Sequence, residues 1–135
     1  LESLDLGNNH LRSLEWLLLD GNRVKAIPNS VEKLGSLRYL RFSKNRLTSV
    51  PPAIANLKNL EKLSLSSNQI QEVPDFIGDL PSLMSLTLSD NPISELPETM
   101  AKLPNLKRLY IRETNIPEDH SVLEKLRKRK VRVYI

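Results

Sequence analysis

Cysteine is absent from the 135 residues of the chain, which excludes disulfides and any reaction that needs a thiolate. Asn-x-Ser/Thr sequons are absent too. The two absences fit an intracellular or bacterial setting better than a eukaryotic secreted domain stapled by disulfides. No apolar run approaches the ~20 residues that a membrane-spanning helix needs. The sequence shows no basic stretch followed by an apolar core and a cleavage site, the pattern of a secretory leader. The chain nevertheless opens on Leu1, inside a strand-like segment, so a preceding segment is expected.

Glycine is scarce. Gly7, Gly21, Gly35 and Gly78 are too dispersed to form either a G-x-x-x-x-G-K-[ST] or a G-x-G-x-x-G phosphate loop. The two histidines, His10 and His120, lie near opposite ends, outside any H-x-x-x-H spacing, and both read as surface residues. Asp20-Gly21-Asn22 and Asp90-Asn91 lack the regular Asp series of a calcium loop. No catalytic residue, metal site, cofactor or small-molecule substrate is therefore expected, and the chain does not read as an enzyme.

What is present is an ordered composition, with 39% hydrophobic and 27% charged residues, and a length suited to one domain. The net charge of +4 is unevenly placed. Residues 1–106 carry 11 Lys/Arg against 12 Asp/Glu, whereas residues 107–135 carry 9 against 4. The basic character belongs to the C-terminal end.

A repeat organises everything else. Asn22, Asn45, Asn68 and Asn91 follow one another at intervals of 23 residues. With that Asn as position 9, position 1 reads Leu14, Leu37, Leu60, Leu83 and Leu106. Position 4 reads Leu17, Leu40, Leu63, Leu86 and Leu109, and position 6 reads Leu19, Phe42, Leu65, Leu88 and Ile111. Ile27-Pro28, Val50-Pro51, Val73-Pro74 and Leu96-Pro97 fill positions 14 and 15. Alternation around positions 3–6 predicts a short strand with positions 4 and 6 inward and 3 and 5 outward. Apolar residues three apart at positions 18 and 21 predict a short helical or 3₁₀ return. Pro at position 15 can start that return, because its missing N–H costs little there. No single unit can bury its apolar side, but stacked units share a core. An Asn inside each turn can bond backbone groups of its own and the adjoining unit, which predicts an Asn ladder.

The unit LxxLxLxxNxLxx(L/I/V)PxxIxxLxx resembles the 23-residue leucine-rich repeats of the Ras-suppressor-like class, which also occur in bacterial repeat proteins and in the repeat arms of Roco proteins. The resemblance covers nearly the whole chain. It implies an α/β solenoid with a concave parallel sheet, convex helical or 3₁₀ returns, and protein–protein interaction as its use. Units are expected at 14–36, 37–59, 60–82 and 83–105, after an incomplete unit at 1–13 and before a terminal cap at 106–135.

The ends depart from the pattern. Leu1, Leu4, Leu6 and Asn9 match the strand half of a unit, yet Asn9 lies only 13 residues before Asn22. The spacing predicts that about ten residues of return are absent between Leu11 and Leu14, with a compact turn as the alternative. At the other end Thr114 replaces the Asn. Glu118-Asp119, Val122, Leu123, Leu126 and a basic close predict a helix over 118–129, and alternating Val131, Val133 and Ile135 predict a last strand over 131–135. The N-terminal edge has no such cap, so self-association through it is expected.

Function is expected on the outward strand positions. Trp16, Leu18, Tyr39 and Arg41 should form one patch, since Trp, Tyr and Arg dominate interface energetics. Lys62 continues it. The alternative is that a return segment or an N-terminal neighbour covers Trp16 and Leu18. Arg108, Tyr110 and Arg112, with Lys107 and with Arg132 and Tyr134 on the last strand, are expected to form a second, basic patch near Lys125 and Arg127–Lys130. The partner expected is a protein or peptide on the concave face. Two other readings are the repeat arm of a larger signalling enzyme or effector, and a basic module for an anionic membrane or nucleic acid.

Overall fold

The computed structural model describes residues 1–7 and 11–135. Expectations placed on Asn9 and His10 lie outside the described residues. Six three-residue strands, β1 (Trp16–Leu18), β2 (Tyr39–Arg41), β3 (Lys62–Ser64), β4 (Ser85–Thr87), β5 (Arg108–Tyr110) and β6 (Arg132–Tyr134), form one sheet in sequence order. Every pairing is parallel. Partners across β1 to β5 are related by the repeat itself, as in Leu17↔Leu40 and Leu40↔Leu63. The last step is one residue longer, Leu109↔Val133, because a full helix replaces the short return.

The returns are 3₁₀ segments at Asn29–Lys33, Pro52–Asn56, Asp75–Asp79 and Glu98–Lys102. A proline stands just before each, and its carbonyl accepts the first bond, as in Val31 N–H to Pro28 O at 3.1 Å and Met100 N–H to Pro97 O at 3.0 Å. Leu40, Leu63, Leu86 and Leu109 stack in one fully buried column, with Phe42, Leu65 and Leu88 beside them. Truncating one such Leu to Ala costs about 2–5 kcal/mol. Short strands on one side and wider returns on the other bend the stack into a curved leucine-rich-repeat solenoid with the sheet on its inner face.

Buried Asn45, Asn68 and Asn91 form the expected ladder. Asn68 Nδ2 donates to Leu65 O at 2.9 Å in its own coil and to Phe42 O at 3.0 Å in the one before. Its Oδ1 accepts from Leu47 N–H at 2.9 Å. Asn45 and Asn91 repeat the pattern. Thr114 keeps only the local bond, to Ile111 O at 2.8 Å, because its side chain is too short to reach the neighbouring coil. Position 8, between strand exit and Asn, is left-handed in every coil: Gly21, Lys44, Ser67, Asp90 and Glu113 have φ between 53° and 72°. A second polar row was not foreseen. Asn59, Ser82 and Asn105, just before each strand, donate to Gly35 O, Lys58 O and Pro81 O of the preceding coil.

The N-terminal unit differs from its sequence motif. Leu4–Leu6 pairs with no strand. Arg23 N–H donates to Leu1 O at 2.7 Å, just as Arg46 N–H donates to Val24 O, and Leu1 N reaches Asn22 Oδ1 as Val24 N reaches Asn45. Leu14 N–H donates to Leu11 O, as Leu37 N–H does to Leu34 O. Leu1 therefore occupies position 11 and Leu11 position 21. Among the described residues, 1–7 and 11–13 thus follow the second half of a coil, and Leu11–Leu14 is closed by the same turn as Leu34–Leu37.

The cap also needs correction at its start. Helix α1 spans Ser121–Lys128, beginning after a turn closed by His120 N–H to Pro117 O. It is shorter than 118–129 because His120 caps it: Nδ1 accepts from Val122 N–H at 3.2 Å. The His120 side chain is only 11% exposed, so it is not the surface residue expected. Strand β6 likewise covers 132–134 rather than 131–135, with Val131 buried between helix and strand.

Candidate partner-binding face

Strand alternation sets the inner face. Leu40 or Leu63 at position 4 points into the core, so its neighbours at positions 3 and 5 point away. Trp16 and Leu18 are 54% and 50% exposed on β1, large apolar side chains left open to water. Trp16 stacks on Tyr39, with ring centroids 3.9 Å apart and planes 22° from parallel. On the far side of the Tyr39 ring, Lys62 Nζ lies 5.1 Å from the centroid. Trp16, Tyr39 and Lys62 are thus a continuous column at position 3, held at strand spacing. Arg38, one residue before, lies 5.5 Å from the same ring and bonds Glu61 twice, at 2.9 and 3.2 Å. That hydrogen-bonded carboxylate raises the Arg38 pKa above its ordinary value.

Arg41 shares this patch, but it already pairs with Asp20, which also accepts from Ser43 N–H at 2.8 Å. A partner's acid would compete with Asp20. Sequence pattern did not flag Asp20, because it lies in the turn of one coil and Arg41 on the strand of the next.

At the other end Tyr110 stacks on Tyr134, with centroids 4.4 Å apart and planes 6° from parallel. Arg108 and Arg132 are exposed beside them. Arg112 is also exposed but lies beyond β5, where its N–H donates to Ser89 Oγ. The residues singled out on the strands thus lie in two groups, one around each aromatic stack, with Arg112 just beyond the second. Between them, on β3 and β4, lies a low floor of Ser64, Ser85 and Thr87. These small residues carry no signal in a search for aromatic and charged anchors. They line a hollow of about 180 Å³ together with Trp16, Tyr39, Arg41, Lys62 and Leu63.

A larger hollow of about 600 Å³ lies on the flank, lined by Gln71, Glu72, Val73 and the Pro92–Pro97 turn. A similar one, bounded by Thr48, Ser49, Val50 and Pro74, occurs one coil earlier. Such grooves arise wherever two proline-bearing turns stack, so size alone does not make them specific. Most cations of the C-terminal helix are already engaged. Lys125 bonds Glu98 at 2.6 Å, Lys128 pairs with Glu124, Arg127 donates to Glu118 O, and Arg129 donates to Ala101 O and Leu103 O. Among the described residues no group of three or more His, Cys, Asp or Glu could hold a metal ion, and no helix is long and apolar enough to cross a membrane.

These features define a class. The family model described as Leucine rich repeat matches residues 12–70 and 60–116, and the chain belongs to that family. The family makes it a protein-interaction domain by class. Among solved structures it is similar to the plant peptide hormone receptor RGFR1 in complex with RGF2, at 27% sequence identity and a TM-score of 0.72. That likeness covers 78% of this chain but only 18% of the receptor chain. No curated protein gives a sequence match.

Proposed function

We propose that the chain is a recognition module, not an enzyme, that binds a protein or peptide on its concave sheet. The observation that carries this reading is the half-exposed Trp16 stacked on Tyr39, with Leu18 open beside it. Exposed apolar area of this kind gains free energy when a partner covers it. The similar receptor is described with a bound peptide hormone, which supports a polypeptide as the partner. Because this chain matches only part of that receptor, the domain also fits the repeat arm of a larger protein. The internal pairing of the helix cations weighs against a membrane or nucleic acid as the main target.

A capture experiment comparing the native chain with the Trp16→Ala/Tyr39→Ala variant tests the reading. Loss of partner, with an unfolding midpoint lowered only slightly, is the expected result. Full capture by the double variant would overturn it.

A further inference from the structure

The two aromatic stacks and the floor between them have the dimensions of a peptide track. Positions 3 and 5 of β1–β6 carry Arg41, Lys62, Arg108 and Arg132 and not one Asp or Glu. Arg41 is paired with Asp20, but Lys62, Arg108 and Arg132 have no ion-pair partner among the described residues. The inner face is therefore positive where it is most open, while the hydroxyls of Ser64, Ser85 and Thr87 offer hydrogen bonds to a backbone.

Resting on the concave-face reading, we infer that the occupant is an extended acidic peptide segment that crosses the strands. Its two apolar side chains seat beside the Trp16/Tyr39 and Tyr110/Tyr134 stacks, and its carboxylates face Lys62 and Arg108. Stack to stack, from β2 to β5, is three strand intervals of ~4.8 Å, or about 14 Å. An extended chain rises ~3.3 Å per residue. The two apolar residues are then about four to five apart, with the acidic residues between them. Carboxylates so placed gain charge-assisted hydrogen bonds from cations that have no acidic partner among the described residues.

Single-stranded nucleic acid is the other polyanion with affinity for basic and aromatic surfaces. It needs free ring faces for base stacking. Here Tyr39 is covered by Trp16 on one face and Lys62 on the other, and Tyr110 and Tyr134 each give one face to the other. At most one face each of Trp16, Tyr110 and Tyr134 remains, on strands β1, β5 and β6, and such separated faces suit single apolar side chains better than a run of stacked bases.

The test is selection from a random ten-residue peptide library on the immobilised full chain, followed by titration of the selected peptides against the emission of Trp16, the sole tryptophan. A consensus with two apolar residues four or five apart and Asp or Glu between them is expected. The Lys62→Glu/Arg108→Glu variant should bind it at least tenfold more weakly. Selection of neutral or basic peptides that still perturb Trp16 would overturn the acidic ligand while leaving concave-face binding intact. Selection of peptides that leave Trp16 unperturbed would count against both. No selected peptide, or saturable binding of an oligothymidylate probe that the charge reversal abolishes, would overturn the inference in favour of no peptide track or of nucleic acid.

Discussion

Trp16 lies face to face on Tyr39 across β1 and β2, with ring centroids 3.9 Å apart, although neither residue belongs to the core. The contact exists because parallel strands in register hold equal positions of successive coils side by side. It gives the exposed patch a rigid shape before any partner arrives, which lowers the ordering cost of binding.

Removing the ring partner should be modest for stability and visible by fluorescence. Tyr39→Ala is expected to cost about 1 kcal/mol for the lost pair, measured by urea unfolding. The Trp16 emission should shift to the red as its covered face becomes wet. An unchanged spectrum would contradict the stack.

The ladder makes a sharper energetic contrast. Asn68→Ala removes donors to Phe42 O and Leu65 O and leaves the buried Leu47 N–H without an acceptor. Unsatisfied buried groups cost about 1–3 kcal/mol each, so a loss of about 3 kcal/mol or more is expected. Thr114→Ala forfeits one local bond and should cost about 1 kcal/mol. Equal losses at the two positions would show that the bonds between coils contribute little.

Glycine positions separate on packing. A Cβ at Gly78 would overlap the backbone of Thr99 in the next return, so Gly78→Ala should destabilise by about 1–3 kcal/mol. Gly35 has open space at the same point, and Gly35→Ala should stay within about 0.5 kcal/mol of the native chain. Paired denaturation curves would check both.

His120 should matter through its cap. His120→Ala removes the acceptor for Val122 N–H and is expected to cost about 1 kcal/mol, and His120→Asn should restore most of it. Thermal melts of the two variants measure the difference. Equal destabilisation would mean that packing of the ring, not capping, is what the helix needs.

Glu98 predicts an acid-labile contribution at the same end. Hydrogen bonds from Lys125 and then Ser121 hold its carboxyl below the ordinary glutamate value. A depressed folded-state pKa means that the unfolded chain takes up the proton first. The contribution is thus complete above the ordinary glutamate range and is lost as pH falls through the folded-state value. Melting temperatures of the native chain and Glu98→Gln should differ at neutral pH and converge in acid. A gap that persists in acid would contradict this.

The solenoid was legible because its evidence is redundant: Leu40, Leu63, Leu86 and Leu109 state one rule four times, and Asn45, Asn68 and Asn91 state another. Places where the rule is stated once were not legible. Leu1–Leu11 copies the strand motif, but thirteen residues cannot close a coil, so the backbone bonds at Arg23 and Leu14 impose a different register. His120 offers no local sign of a cap, since the donor it serves becomes exposed only once the helix has begun.

Chemistry repeated at a fixed interval determines which residues turn inward, and so the sequence alone set the sheet, its order and the residues left outside. Tertiary structure decided what those outer residues do to one another. It brought Asp20 to Arg41, stacked the two aromatic rings of each patch on one another and placed Ser64, Ser85 and Thr87 between the stacks. Those relations join residues from different coils, and only the stacking of the coils brings them within reach.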